Sequence, residues 1–264
     1  MLSLRSTALA ALTTVSITAA PQARAQGAAA SQLDAIQQRG VLTVCTTGDY
    51  KPFTFYKAEG DLFEGVDIEL AKSLAKAIGV EAKFVKTSWS NLMADFTSSK
   101  CDVAMGGISV TLDRQKRAFF SQPYLVNGKA PIARCADKDK FKSIADIDKP
   151  GVTVIVNPGG TNERFARGAF KTAKVEVFPD NVTIFDQVLQ GKADVMVTES
   201  IETKVQEKLR PGLCAINPDQ PLQYGELGYL LPRGDVVLKS FVDQWLHLAK
   251  ESGEMQKAFD QFVK

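Results

Sequence analysis

The stretch GGISVTLDRQKRAFFSQPY, from Gly106 to Tyr124, carries the most informative local pattern of the sequence. Thr111 has the side chain of a helix N-cap, and Arg114 follows it in the first predicted helical turn. A guanidinium group binds a carboxylate through two parallel charge-assisted hydrogen bonds, and the dipole of a helix N-terminus adds to the attraction. The stretch therefore predicts a binding site for a small organic acid.

Strand and helix patterns alternate on both sides of this stretch. The first series predicts strands at 41–46, 82–85 and 103–105 and helices at 31–39, 67–78 and 91–96. After a polar segment at 136–150, the second series predicts strands at 152–156, 175–178, 195–198 and 229–231 and helices at 162–169, 182–190, 201–209, 236–252 and 255–263. This alternation is typical of an α/β fold with helices covering parallel sheets, and two series indicate two lobes. Ligands of such folds bind at the carboxyl ends of the strands.

The first 25 residues have the pattern of a cleaved export signal. Arg5 precedes an apolar run at 7–20, and Ala23-Arg24-Ala25 is an A-x-A cleavage site, so we expect the mature chain to begin at Gln26. A membrane anchor is the alternative, but the apolar run is shorter than the ~20 residues that cross a bilayer. We therefore expect that the protein does not insert into the membrane and that it is released into a bacterial periplasm.

The mature sequence is expected to carry no net charge. The whole chain has 32 Lys and Arg against 30 Asp and Glu, and residues 1–25 contain two arginines and no acid. Binding to nucleic acid or to an acidic membrane needs a basic excess, so neither partner is expected. His247 is the one histidine and no C-x-x-C pair occurs, so no metal site is predicted, and no dinucleotide or P-loop motif predicts a cofactor. A packed or surface position is expected for His247.

Two of the four cysteines are predicted to form a disulfide and two to remain reduced. Cys135 and Cys214 flank the second series, and a disulfide between them would stabilise the fold by about 4 kcal/mol in the chain-entropy model. Free thiols are the alternative for this pair. Cys45 lies near the end of one predicted strand and Cys101 at the start of a parallel one. We expect these two to lie far apart, reduced and buried.

Five segments resemble those of the periplasmic amino-acid-type solute-binding proteins: TGDYKPFTF (47–55), GVDIELAKSLAKAIG (65–79), GGISVTLDRQKRAFFSQPY (106–124), GGTNERFA (159–166) and GKADVMVTES (191–200). The resemblance covers essentially the whole mature chain. It implies a type II clamshell of two lobes joined by two hinge strands. Lobe 1 would comprise residues 26–133 and 227–264, and lobe 2 residues 134–226. The expected partner is a small carboxylate held between the lobes.

A closer resemblance exists to one group within that family, the cyclohexadienyl dehydratases. It is carried by TTGDYKPF (46–53), TSWSNLM (87–93), IVNPGGTNERFA (155–166), PDNVTIF (179–185) and VDQWLHLA (242–249). The resemblance implies a cofactor-free lyase that converts prephenate to phenylpyruvate and arogenate to phenylalanine, with loss of water and carbon dioxide. The alternative is a non-catalytic solute-binding protein that delivers an amino acid or organic acid to a membrane transporter. A transporter is a partner only in that case, and the oligomeric state is left open.

Three residues are implied as catalytic by the closer resemblance. Glu202 matches a glutamate that protonates the departing hydroxyl, and Lys129 matches a lysine that contacts the substrate and this acid. Asn157 is placed to hydrogen-bond the ring hydroxyl or carboxylate. Taken alone, each has an ordinary interpretation: a solvated first-turn glutamate, a surface turn lysine and a turn asparagine before proline. The combination of the three favours the enzyme.

A second set of residues is implied to bind the carboxylates of the ligand. Arg114 would hold the side-chain carboxylate, with Ser109 and Gly107 as nearby donors. Gly160 and Thr161 lead into a predicted helix, whose first backbone N–H groups would bind an anion. Thr161 would also cap this helix.

Aromatic residues and a second glutamate complete the predicted site. Tyr50, Phe53 and Trp89 would form apolar walls around a ring, with plain core packing as the alternative. Glu199 stands where the family usually presents an aspartate to the α-amino group of the ligand. Three roles remain open for Glu199: it could orient Glu202, raise the pKa of Glu202 or cap the helix.

Overall fold

The structure of the protein is a computed structural model that describes residues 31–263. The predicted export signal at 1–25 and the predicted mature start at Gln26 lie outside the described residues. Within residues 31–263, no helix combines the length and the apolar character needed to cross a bilayer.

The predicted alternation of strands and helices is confirmed, with most boundaries shifted by one or two residues. The strands are, in chain order, β1 (Val41–Thr46), β2 (Asp49–Tyr50), β3 (Thr54–Lys57), β4 (Leu62–Glu64), β5 (Glu81–Lys86), β6 (Val103–Ala104), β7 (Phe119–Phe120), β8 (Leu125–Arg134), β9 (Thr153–Val156), β10 (Lys174–Val177), β11 (Val195–Glu199), β12 (Leu213–Ala215), β13 (Gln223–Leu227) and β14 (Leu230–Leu231). The α-helices are α1 (Gln32–Arg39), α2 (Val66–Ile78), α3 (Leu92–Thr97), α4 (Leu112–Gln115), α5 (Ile144–Ile147), α6 (Thr161–Ala169), α7 (Ile184–Leu189), α8 (Ser200–Leu209), α9 (Val236–Glu251) and α10 (Glu254–Phe262).

The first large sheet has the strand order β5-β1-β6-β14-β7. Strand β1 is parallel to β5 and β6, whereas β14 is antiparallel to β6 and β7. Leu70 and Leu74 of α2 and Trp245 of α9 are buried in one hydrophobic cluster with Val44 of β1. The carboxyl ends of β1 and β6 meet at one edge, from which the chain continues into the loops that carry Tyr50 and Gly107.

The second large sheet has the strand order β10-β9-β11-β8-β12, and β13 also pairs with β8. Strand β9 is parallel to β10 and β11, whereas β8 is antiparallel to β11. Val154, Val156 and Val197 lie in the core of this lobe. Asn157 follows β9 directly and Glu199 ends β11, so the carboxyl edge of this sheet carries polar residues of the predicted site.

Two segments of the chain cross between the lobes. Strands β8 and β13 pair side by side, from Leu125 opposite Leu227 to Lys129 opposite Gln223. The chain enters β8 from β7 and leaves β13 towards β14, and both β7 and β14 belong to the first sheet. The predicted lobe boundary at residue 133 falls inside β8, whose residues 129–133 pair with β11 of the second sheet. We therefore propose a boundary near residue 128.

A small third sheet, of strand order β2-β3-β4, was not predicted. Its strands are two to four residues long and follow one another closely between residues 49 and 64. Segments this short do not show a period of alternation, so the sequence pattern could not reveal them. The sheet matters because β2 ends with Tyr50, one of the predicted wall residues.

Both cysteine pairs form disulfides, one as predicted and one against the prediction. The Cys135–Cys214 disulfide is confirmed, with a Cα–Cα distance of 4.8 Å. Cys45 and Cys101 are buried as expected, but they are bonded and not reduced, with a Cα–Cα distance of 5.6 Å. The prediction failed because it assumed that the start of β6 lies far from the end of β1. Strand β6 is only two residues long and begins at Val103 opposite Val44, next to Cys45. Cys101, two residues before β6, is therefore within reach of Cys45.

Candidate active site

Arg114 is buried at the start of α4, as the sequence predicted. The Thr111 side chain caps this helix by accepting a hydrogen bond from the Arg114 backbone N–H at 3.2 Å. The guanidinium is only 5% exposed, and Nη1 donates to the Ser109 carbonyl oxygen at 2.8 Å. Burial lowers the pKa of Arg114 to about 10, so the group is charged at neutral pH. Because a carbonyl and not a carboxylate holds this cation, it can accept an anionic ligand.

The turn at Gly107 lies two residues before Ser109, whose carbonyl oxygen accepts from Arg114. Gly107 has a φ of +68°, and a Cβ there would lie 2.7 Å from Cδ1 of Tyr50. Only glycine allows the turn to approach the Tyr50 ring this closely. The Gly107 N–H donates to Asp67 at 2.6 Å, so the predicted donor to a ligand is already occupied. Gly107 lines the cavity without serving as that donor.

Lys129 lies inside strand β8 and not in a surface turn. Its side chain is buried, and Nζ donates to Thr161 Oγ1 at 2.8 Å, Asn162 Oδ1 at 2.5 Å and Glu199 Oε1 at 2.6 Å. Burial lowers the pKa of Lys129, and the nearby Glu199 carboxylate opposes this shift. The ordinary interpretation of this lysine, a solvated turn residue, is therefore wrong.

Glu199 lies opposite Lys129 in the antiparallel pair β8–β11. Its Oε1 atom accepts from Lys129 and also from the Ser109 hydroxyl at 2.6 Å, which joins the second lobe to the first. Glu199 is the N-cap residue of α8, but its side chain makes no capping hydrogen bond. Of the three roles left open, capping is wrong. The Glu199 charge does contribute to raising the pKa of Glu202.

Glu202 is a buried acid in the first turn of α8. Its side chain is almost fully enclosed, Oε2 accepts from the Thr198 hydroxyl at 2.5 Å, and Oε1 has no hydrogen-bond partner among the described residues. Burial, with smaller contributions from Asp49 and Glu199, raises the pKa of Glu202 to about 8. The hydrogen bond from Thr198 and the Lys129 charge oppose this shift. Glu202 is therefore mainly protonated at neutral pH and is not a solvated glutamate.

Asn162 links the three predicted catalytic residues, although the sequence did not single it out. Its Nδ2 donates to Asn157 Oδ1 at 2.9 Å and to Thr198 Oγ1 at 3.0 Å, while its Oδ1 accepts from Lys129. Asn157 and Asn162 are both buried. The one available signal was its place directly after Thr161 in the GGTNE motif.

The start of α6 differs in detail from the prediction. Gly160 and not Thr161 is the N-cap residue, and Thr161 is the first helical residue. The Thr161 hydroxyl accepts from Lys129 and lies 3.2 Å from the Ser109 hydroxyl, so it connects the two lobes instead of capping the helix. The first backbone N–H groups of the helix remain oriented for an anion.

Two of the three predicted aromatic residues line the cavity. The Tyr50 and Trp89 rings contact edge to face, with centroids 5.9 Å apart. Phe53 is fully buried and packs against Tyr124 and Phe259, so it belongs to the core. Tyr50 lies near Glu199 and Glu202, and burial with these two charges raises its pKa well above the usual value.

Asp49 and Asn181 are further residues that the sequence analysis missed. The Asp49 carboxylate accepts from Trp89 Nε1 at 3.0 Å, and burial raises its pKa. Asn181 of the second lobe donates to the Asp49 carbonyl oxygen at 3.1 Å. Both positions lie inside segments that carry the closer resemblance, but no individual chemical pattern marked them.

The site residues enclose a cavity of about 280 Å³ between the lobes, lined by Tyr50, Trp89, Gly107, Ser109, Asn157, Gly160, Thr161, Asn162, Asn181, Thr198, Glu199 and Glu202. His247 and Arg117 are exposed and lie outside it. Across residues 31–263, no group of three or more His, Cys, Asp or Glu side chains is arranged to bind a metal ion.

The sequence profile of the bacterial extracellular solute-binding proteins, family 3, matches residues 42–264. The chain belongs to this family. A curated relative from Pseudomonas aeruginosa, named cyclohexadienyl dehydratase, is 50% identical over 234 residues, which cover 89% of this chain and 87% of that protein.

Solved structures of the family agree with the two-lobe type II fold. The crystal structure of an ancestral amino acid-binding protein, a precursor of cyclohexadienyl dehydratase, is similar at a TM-score of 0.82 and 35% identity, covering 89% of this chain and 100% of that one. The crystal structure of an ancestral cyclohexadienyl dehydratase is 49% identical at a TM-score of 0.56, covering 89% of this chain and 97% of that one.

The arrangement unites three chemical properties in this family member. Arg114 of the first lobe is a cation that has no carboxylate partner within residues 31–263. A protonated carboxyl, Glu202, and a lysine paired with a glutamate lie in the second lobe. Such a site can hold an organic acid and transfer a proton to it where bulk water is excluded.

Proposed function

We propose that the protein is an exported cyclohexadienyl dehydratase that acts on prephenate and arogenate in the periplasm. The observation that carries the proposal is the buried, protonated Glu202 carboxyl, whose Oε1 is unpartnered at the wall of the cavity. A protein that only binds a solute has no need of a neutral acid there. The identity of 50% to a cyclohexadienyl dehydratase supports the same conclusion.

The reaction needs a proton and a firm hold on two carboxylates. The substrate ring carries a hydroxyl and a carboxylate on opposite carbons. Glu202 donates its proton to the hydroxyl oxygen, and the C–O bond breaks as water leaves with the bonding pair. The bond from the ring to its carboxylate then supplies an electron pair to the ring, and carbon dioxide leaves. Formation of the aromatic ring drives the reaction. The electron pair that leaves with water is replaced by the pair from the ring–carboxylate bond, so the reaction needs no redox cofactor.

Substrate binding is assigned to both lobes. We assign the side-chain carboxylate of the substrate to a bidentate pair with Arg114 of the first lobe. We assign the ring hydroxyl and carboxylate to the helix start at Thr161 and to the Asn157 amide, which line the cavity in the second lobe. The Tyr50 and Trp89 rings line the same cavity and would pack against the substrate ring.

Lys129 is assigned the role of balancing charge in the closed site. The substrate brings two carboxylates next to Glu199, and in low dielectric such like charges repel strongly. The Lys129 ammonium neutralises Glu199 through the 2.6 Å ion pair and leaves Glu202 as the acid that remains protonated. Once Glu202 has given up its proton, it regains one from water when the lobes open.

A turnover assay tests the proposal directly. Purified protein is mixed with prephenate at neutral pH and phenylpyruvate is followed, with Glu202→Gln and Glu207→Gln in parallel. Glu207 lies exposed on the same helix, so its variant controls for a general effect of the substitution. We expect turnover in the wild type and in Glu207→Gln and none above the spontaneous rate in Glu202→Gln.

Two outcomes would contradict the proposal. Near-normal turnover by Glu202→Gln would show that another group is the acid. The absence of turnover by the wild type, together with a thermal shift induced by an amino acid, would identify a transport receptor instead.

A further inference from the structure

Asp67 is a fully buried carboxylate outside the cavity, in the first turn of α2. Its Oδ2 atom accepts from the Gly107 N–H at 2.6 Å and from the Tyr124 hydroxyl at 2.7 Å. Its Oδ1 atom accepts from the Tyr229 hydroxyl at 2.9 Å. One side chain thus receives hydrogen bonds from three segments that are distant in sequence.

Of the three donors, one lies in a turn of the candidate site and the other two lie next to the hinge strands, at their ends in the first lobe. Gly107 forms the turn that packs on Tyr50, and two residues later Ser109 forms a β-bridge with Leu227 of the second crossing. Tyr124 directly precedes β8, and Tyr229 lies two residues beyond the end of β13. The two tyrosine rings stack with centroids 4.8 Å apart.

We propose that Asp67 is a positioning residue, which fixes the hinge crossings and the Gly107 turn to one helix and so sets the closed geometry of the site. Burying a charged group is unfavourable unless all its hydrogen bonds are made. Apolar residues of similar size would often stabilise a core just as much. We therefore infer that the Asp67 cluster contributes a defined geometry more than it contributes stability. For the reaction, this inference rests on the proposed function.

The proposed role of Asp67 predicts different effects on kcat and on KM. Arg114, to which we assign the side-chain carboxylate, lies in the same lobe as Asp67, whereas the proposed acid Glu202 lies in the other lobe. Loosening the hinge should leave initial binding nearly intact and make alignment of Glu202 less frequent. We therefore expect kcat to fall while KM changes little.

Four variants test this expectation. Asp67→Asn should lower kcat about tenfold or more with KM within about threefold, because an amide cannot accept from all three donors. Tyr124→Phe and Tyr229→Phe each remove one donor and keep the ring stack, so each should lower kcat by about three- to tenfold. Ser73→Ala is the control, because Ser73 on the same helix accepts a hydrogen bond from Trp245 and takes no part in the three hydrogen bonds to Asp67. It should leave kcat within about twofold.

Small-angle X-ray scattering of the unliganded proteins gives a readout that needs no activity. We expect a larger radius of gyration for Asp67→Asn and for the two phenylalanine variants than for the wild type and Ser73→Ala. If Asp67→Asn does not fold, the phenylalanine variants decide. Wild-type kcat and scattering in both of them, or an equal loss in Ser73→Ala, would overturn the inference. If the wild type shows no turnover, the proposed function fails, and the scattering curves alone decide the role of Asp67.

Discussion

Lys129 and Glu199 face each other across the antiparallel strands β8 and β11, with 2.6 Å between Nζ and Oε1. Both side chains are about 95% buried, so the pair is neutral as a unit and hidden from solvent. Three residues along the chain, Glu202 lines the same cavity as Glu199 and has no ion-pair partner within residues 31–263. The strand register thus gives Glu199 a buried cation as its partner, while burial raises the pKa of Glu202.

Replacing Lys129 by methionine should damage both stability and turnover. The substitution leaves the Glu199 carboxylate buried and unpaired, which costs about 3–5 kcal/mol. The double variant Lys129→Met/Glu199→Gln removes both charges, so it should recover much of the stability while remaining inactive. Thermal unfolding and the prephenate assay measure the two effects.

The control for this substitution is Lys204→Met. Lys204 forms an exposed ion pair with Asp219, and exposed pairs contribute about 0–1 kcal/mol. Equal unfolding temperatures for the single and double variants at Lys129 would mean that Glu199 is not the charge left unpaired.

The rate of the reaction should decline as the pH rises through about 8. Glu202 can donate its proton only while it is protonated, and its pKa is raised to about 8 by burial. We expect kcat to be level between pH 6 and 7 and to fall towards tenfold per pH unit above pH 9. The measurement follows phenylpyruvate formation from pH 6 to 9.5, with the Glu202→Gln rate subtracted at each pH as the spontaneous reaction. A rate that increases up to pH 9.5 would contradict the assignment of Glu202 as the acid.

The same carboxyl should make the folded protein less stable at alkaline pH. The folded pKa of Glu202, about 8, lies above the unfolded value of about 4.3, so the folded state binds more protons between these values. The free energy of unfolding therefore decreases as the pH rises from about 4 to 8. Glu202→Gln removes this titration and should be more stable than the wild type at pH 9, by about 5 kcal/mol or about 10–20 °C in Tm.

Melting temperatures at pH 5 and pH 9 check this prediction. The advantage of Glu202→Gln should shrink to about 1 kcal/mol at pH 5, where the folded carboxyl is protonated and only the unfolded chain is ionised. Glu207→Gln, the exposed control on α8, should show no such dependence. A difference of the same size at both pH values would mean that packing, and not the titration of Glu202, changes the stability.

The sequence predicted the order of the elements better than the contacts between them. Hydrophobic periodicity is a local property, so α2, α8 and α9 were predicted nearly to the residue. The Cys45–Cys101 disulfide was missed because it depends on the register between β1 and β6. Val103 lies opposite Val44, near the carboxyl end of β1, and no sequence pattern shows this register.

The residues of the candidate site show the same contrast between local sequence patterns and contacts between distant residues. Arg114, Lys129 and Glu202 were predicted because motifs carry them. Glu202 lines the cavity, whereas Arg114 and Lys129 are buried behind it, against the lining residues Ser109 and Glu199. Asn162 and Asp67 were not predicted, because all their side-chain hydrogen bonds except the one from Asn162 to Asn157 join residues 33 to 162 positions apart. No local pattern distinguishes such an asparagine or aspartate from a common first-turn residue of a helix.

Replacing Gly107 by alanine should lower stability and turnover by more than the left-handed backbone conformation of this residue alone would cause. Gly40 and Gly107 have nearly the same φ, +73° and +68°, but a Cβ at Gly40 has no neighbour within 4 Å. Gly40→Ala should therefore cost only the left-handed backbone term, about 1–2 kcal/mol. Gly107→Ala adds a collision with the Tyr50 ring, so it should lose more stability and most of its turnover. Thermal unfolding and kcat/KM of the two variants provide the comparison, and equal values would mean that the Gly107 turn does not hold Tyr50 in place.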